Sequence, residues 1–157
     1  MRYVLLDKIT EIEPGVRARG IKCVTLTDEV LHDHFPEHPV LPGALLVESA
    51  AQLAGYLLEA SVPPAGEVPH RAVLGQIDKL KFSRPAEPGD AIELEARVSQ
   101  LLDGAGRFEV EATVRGERVM RGQLTFVLRR VDSERVNEQR RYLYRLWTRG
   151  IAGAPIP

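Results

Sequence analysis

The sequence predicts an α+β domain: an antiparallel sheet wrapped around one long central helix, with an extra helix at the C-terminus. Three observations predict it. From Ala44 to about Ala60, apolar residues cover most of a helix's circumference, the pattern of a buried helix. Further on, Ile92, Leu94, Ala96 and Val98 alternate with Glu93, Glu95, Arg97 and Ser99, and Phe108, Val110, Ala112 and Val114 alternate with Glu109, Glu111, Thr113 and Arg115. A strict period of two marks half-buried strands. In the tail from Asp132, Val136, Leu143, Leu146 and Trp147 form a modest apolar stripe.

The elements follow in order. Two short apolar segments, Tyr3–Ile9 and Val16–Leu26, come first, separated by the turn signal Pro14-Gly15. The loop from His32 to Gly43 holds three prolines that forbid a helix and push the residues before them toward extended geometry. The buried helix follows, then a Pro/Gly loop over residues 61–69. Next comes a long apolar-rich strand from His70 to Ser83, closed by Arg84-Pro85 and Pro88-Gly89-Asp90. Asp103-Gly104-Ala105-Gly106 and Arg115-Gly116-Glu117 are hairpin turns joining the alternating strands. A last strand, about Arg118–Arg129, puts Leu124, Phe126 and Leu128 on one face. Asp132 or Ser133 caps the final helix, Gly150 ends it, and the residues beyond are expected to fray. The division expected is a sheet-and-helix domain over 1–130 and a helical extension over 131–157.

Composition narrows the function. At 157 residues, 44% apolar and 27% charged, the chain suits one globular domain. A net charge of −1 gives no field that would recruit nucleic acid. The charge is uneven: Arg129–Arg149 carries seven Arg against Asp132, Glu134 and Glu138. The single cysteine, Cys23, excludes an internal disulfide and, lying in an apolar run, is expected to be a buried, inert thiol. Arg2 and Asp7 interrupt any signal-peptide core, and Glu48 and Gln52 break the one run approaching a membrane span, so a cytoplasmic protein is expected.

Chemistry concentrates around the start of the buried helix. His32, His34 and His38 crowd one loop. His-x-His on an extended segment would suit a metal, but apart from His70 nothing completes a ligand set, so exposed loop histidines are the simpler reading. No metal and no other cofactor is expected. Glu48 and Gln52 lie one turn apart on the helix, and Gly55 and Glu59 continue their line. In isolation that stripe fits a solvent-facing side of an amphipathic helix. The context adds a histidine upstream and a Pro42-Gly43 turn that leaves the first helical N–H groups free for a carbonyl oxygen or an anion. A base, an acid and an oxyanion donor thus share one short segment.

The run His34-Phe35-Pro36-x-x-Pro39-x-x-Pro42-Gly43-x-Leu45-x-x-Glu48-x-x-Ala51-Gln52 resembles the signature of the bacterial 3-hydroxyacyl-acyl-carrier-protein dehydratases. Gly75-x-Ile77-Asp78-x-x-x-Phe82-x-Arg84-Pro85-x-x-Pro88-Gly89-Asp90 is similar to that family's downstream strand and turn, and Tyr3–Asp7 to the end of its N-terminal motif. The resemblance implies a hot-dog fold, in which the sheet wraps the long helix. It implies homodimers, and trimers of dimers, with two sites at each dimer interface. Each site would take His34 from one protomer and Glu48 from the other. The substrate would be an acyl thioester on acyl-carrier protein, dehydrated with His34 as base and Glu48 as acid. Glutamate rather than aspartate at position 48 points to the plain dehydratase branch. Gly43 N–H would polarise the thioester carbonyl, Gln52 would orient Glu48 or a water, and Phe82 would line the acyl site if it is not simply core.

Three features depart from the family pattern. The family's Pro-His-Arg-containing segment ahead of the Leu-Leu-Asp stretch is absent from this sequence, Glu37 stands where glycine is common, and the tail beyond about Val131 has no counterpart in compact members. Arg140, Arg141, Arg145 and Arg149 on that tail offer a docking face for an acidic carrier protein, or simply a solvated face on a helix covering a sheet edge. Rival functions are a hot-dog thioesterase, a hydratase of coenzyme A thioesters, and a non-catalytic subunit partnering an active dehydratase.

Overall fold

A computed structural model describes residues 3–63 and 68–157. Six strands form one antiparallel sheet: β1 (Lys8–Glu13), β2 (Arg17–Cys23), β3 (His70–Phe82), β4 (Ala91–Leu102), β5 (Ala105–Val114) and β6 (Glu117–Arg130). Their order across the sheet is β1-β2-β4-β5-β6-β3. Helix α1 (Gly43–Ser61) packs against the sheet and shares its core, and α2 (Glu134–Trp147) follows β6.

Period-two alternation explains the inner face. Ile92, Leu94 and Ala96 of β4 and Phe108, Val110, Ala112 and Val114 of β5 are buried against α1, whose Leu53, Leu57 and Leu58 are fully enclosed. Burial of one such large side chain contributes on the order of 1.5–3 kcal/mol. Two-residue loops set the hairpin registers. At the β5–β6 turn both Arg115 (φ 52°) and Gly116 (φ 79°) are left-handed, the geometry whose twist matches paired strands. Gly20 lets its neighbours approach β2 closely: an added Cβ would lie 2.8 Å from the Lys8 carbonyl oxygen of β1 and 3.4 Å from Leu53 Cδ1 of α1.

Several expectations need correction. Of the apolar segment Tyr3–Ile9 only the end is strand, since β1 begins at Lys8. Segment 3–7 instead runs beside α1, because Gln52 supplies hydrogen bonds that a strand neighbour would otherwise give. Cys23 is exposed. Ala18, Gly20 and Lys22 take the inward positions of β2, so Cys23, one residue on from Lys22, points out. The Lys22 ammonium, carried at the end of an inward-facing side chain, reaches the Cys23 carbonyl and the carboxylates of Asp7 and Asp28. Ser133 occupies the N-cap of α2 but its side chain makes no capping bond. The C-terminal residues do not fray: Tyr56 Oη donates to the Pro155 carbonyl at 2.8 Å, and Ile151 and Ile156 pack on the core. The loop expected over 61–69 begins one residue later than predicted, since Ser61 ends α1, and residues 64–67 lie outside the described residues.

Candidate active site

The loop before α1 is tied down by its own backbone. Phe35 N–H donates to the His38 carbonyl and His38 N–H donates back to Phe35, closing a tight turn at 3.1 and 3.0 Å. Glu37 sits in that turn with φ 64°, a left-handed conformation that glycine adopts without strain. Leu41 N–H donates to the Ala86 carbonyl, anchoring the loop to the turn after β3.

His34 is held twice by one residue. Its carbonyl accepts from Val40 N–H at 2.8 Å, and its Nδ1 lies 2.9 Å from the Val40 carbonyl oxygen. A carbonyl can only accept, so Nδ1 carries the hydrogen and, in the neutral ring, Nε2 is the unprotonated nitrogen. The Phe35 ring stacks on the imidazole with centroids 4.4 Å apart. His32 and His38 are exposed, and among the described residues no group of three or more His, Cys, Asp or Glu is placed to hold a metal.

Pro42 starts α1 with no side-chain cap, leaving the first helical N–H groups, Gly43 included, for a ligand. Gly43 abuts Phe82: an added Cβ would lie 2.8 Å from the ring's Cζ. Phe82 is half-exposed in the single chain, at the end of β3.

One turn into α1, half-buried Glu48 accepts a hydrogen bond from Gln52 Nε2 at 3.0 Å. Gln52 uses its whole amide: Nε2 also donates to the Tyr3 carbonyl, and Oε1 accepts from Leu5 and Leu6 N–H at 3.0 and 3.2 Å. One side chain thus fixes both the N-terminal segment and the Glu48 carboxylate. The stripe Glu48–Gln52–Gly55–Glu59 does not face open solvent. It forms one side of a cleft of about 580 Å³ between α1, β3 and α2. His34, Gly43 and Phe82 are not part of that cleft's wall. The structure therefore joins Gly43 with Phe82 and Glu48 with Gln52, while His34 keeps to its own loop. A second depression, about 630 Å³, lies on the outer charged face among Lys79, Lys81, Arg97 and Arg121.

At the far end of the cleft sits a buried ionic network that the sequence reading missed. Glu59 accepts from Arg71 Nη1 (2.7 Å), Tyr144 Oη (2.6 Å) and Ala72 N–H (2.8 Å), and Arg71 Nε donates to Asn137 Oδ1. Burial first, and then the Glu59 carboxylate, hold the Tyr144 phenol well above its ordinary value. The only trace in the sequence was Glu59 continuing the polar line of the buried helix.

The FabA-like domain family model matches residues 1–123. The 3-hydroxyacyl-[acyl-carrier-protein] dehydratase FabZ of Acetivibrio thermocellus is 41% identical over 129 residues, spanning 80% of this chain and 84% of its own. FabZ of Bacillus subtilis is 38% identical over 126 residues, spanning 80% and 87%. Among solved structures, a hot-dog-like protein from Thermanaerovibrio acidaminovorans superposes with TM-score 0.62 at 20% identity, over 84% of this chain and 92% of its own. The smu.793 protein of Streptococcus mutans, bound to acetyl CoA, gives 0.62 at 16% identity over 80% and 90%. The last two establish the hot-dog fold, and the sequence matches establish descent: this chain belongs to the FabA-like family, among its FabZ-type dehydratases.

Proposed function

We propose that this protein removes water from 3-hydroxyacyl thioesters carried on acyl-carrier protein, giving trans-2-enoyl thioesters for fatty acid synthesis. The observation that carries the reading is the bond from His34 Nδ1 to the Val40 carbonyl, which leaves Nε2 as a lone-pair base on a rigid loop. Nε2 takes the α-proton of the thioester, and the C–H electrons form the new double bond. The β-hydroxyl leaves as water with the proton of Glu48. The imidazolium then returns a proton to the carboxylate and the site is reset. Gly43 N–H stabilises charge on the thioester oxygen, Gln52 orients Glu48, and the Phe82 ring borders the thioester.

His34 and Glu48 do not share a cleft within one chain, and β3 is an edge strand with half-exposed Val73 and Ile77. Both facts favour a homodimer in which His34 of the partner subunit meets Glu48 across paired β3 edges, with trimers of dimers as a further step. We place the protein in the cytoplasm, with acyl-carrier protein as its partner. The test is loss of water from a 3-hydroxyacyl thioester by wild type, His34→Ala and Glu48→Gln. Each variant is expected to lose about two to four orders of magnitude in rate, the worth of a positioned acid or base. A folded wild-type dimer inert toward every thioester would instead assign a non-catalytic subunit.

A further inference from the structure

Helix α2 lies beyond the matched family domain, yet it forms a wall of the cleft that opens at Glu48. Its contribution is regular. Val136, Arg140, Leu143 and Trp147 line the cleft at spacings of four, three and four. The same spacing separates Glu48, Gln52, Gly55 and Glu59 on the facing helix. Two helical stripes therefore line one cleft, with Glu48 and Gln52 at one end of the α1 stripe and Glu59, held by Arg71 and Tyr144, at the other. Along α1 the stripe runs on the order of 16 Å. Midway, Gly55 has no side chain, so the floor there is backbone, with Phe126 of β6 beside it.

The wall is fixed in place. Tyr144 and Asn137 of α2 are buried and bind the Glu59–Arg71 pair, and Tyr56 and Tyr144 pack with ring centroids 4.9 Å apart. Trp147 is buried at the last turn, and its indole forms part of the cleft wall.

We propose that α2 closes the far end of the acyl cleft, and that Leu143 and Trp147 set the longest acyl chain accepted. The proposal rests on Glu48 marking the thioester end of that cleft. It assigns the length limit to the C-terminal extension, not to the loop and helix shared with the relatives.

The test uses the full chain and a series of 3-hydroxyacyl pantetheine thioesters from butyryl to hexadecanoyl. Leu143→Phe is expected to lower the kcat/KM ratio of the longest turned-over substrate to butyryl by about tenfold, the worth of a methylene-sized misfit in a pocket. Leu143→Ala is expected to shift the ratio the other way. Trp147 is the only tryptophan in the chain, so its emission reports this wall alone. Long thioesters are expected to shift wild-type emission at saturation, and butyryl is not. An unchanged length profile in both variants, or equal emission responses to butyryl and long chains, overturns the proposal. A length-dependent shift in a protein that eliminates no water would keep the cleft assignment and remove the dehydratase reading instead.

Discussion

At Gln52 a single amide joins two tasks that the sequence displays as one polar residue. Replacing it with leucine strands the Leu5 and Leu6 N–H groups and frees the Glu48 carboxylate. We predict a stability loss of about 1–3 kcal/mol by urea denaturation, from the stranded donors. If Gln52 positions Glu48, Gln52→Leu also lowers kcat and alters the alkaline limb of the kcat pH profile, the limb set by a general acid. A variant that melts earlier but keeps its profile would make Gln52 a clamp only. At Gly20 the argument is steric. An alanine Cβ would meet the Lys8 carbonyl oxygen at 2.8 Å and Leu6 Cδ1 at 3.0 Å, and the carbonyl belongs to a paired strand that cannot swing away. Gly20→Ala is expected to cost about 1–3 kcal/mol in the same measurement, and an unchanged urea midpoint would show that β1 gives way.

Among the elements, α2 depends most on one buried cluster. Glu59→Ala leaves the Arg71 guanidinium, the Tyr144 hydroxyl and the Ala72 N–H without their acceptor in a buried site. The expected cost is about 3–5 kcal/mol, as for breaking a buried ion pair by removing one partner. Tyr144→Phe, which removes one donor and keeps the ion pair, should cost clearly less. Equal melting of the two variants would show that the pair contributes little. Elements governed by their own periodicity were legible in the sequence. Helix α1 follows from its apolar circumference, and β4 and β5 from alternation. Elements governed by a distant partner were not. Segment 3–7 has strand-like residues, but its Leu5 and Leu6 N–H groups are taken by a helix side chain. Cys23 lies in an apolar run, but strand parity turns it outward. The terminal residues read as loose because Tyr56, which binds Pro155, lies 99 positions away. The site shows the same division. The motif supplied His34, Gly43 and Glu48 in order, while the bond that sets the histidine tautomer comes from a backbone carbonyl that no residue pattern reveals.

Over the whole molecule, two buried phenols set an alkaline limit. Burial pushes Tyr56 up to about 12, and burial together with the Glu59 carboxylate raises Tyr144 as well. Both bind their protons more tightly in the folded state than in the unfolded chain. Their contribution is therefore complete below the ordinary tyrosine value of about 10 and is lost as pH rises through the folded values. Melting temperature is expected to fall above pH ~10, and less steeply in Tyr56→Phe with Tyr144→Phe. Identical slopes in wild type and double variant would assign alkaline unfolding to other groups. Sedimentation velocity on the full chain should give a dimer, and a monomer that remains active would overturn the shared site. The free edge of β3 supplies an internal gauge of that assembly. β5 has a neighbour on either side, whereas β3 pairs only with β6. About half of the β3 amides thus point away from any strand of their own chain. In deuterium exchange those amides should label quickly in a lone protomer and slowly beside a second copy. Dilution would then show up in one strand as a change of labelling rate, while β5 stayed protected throughout.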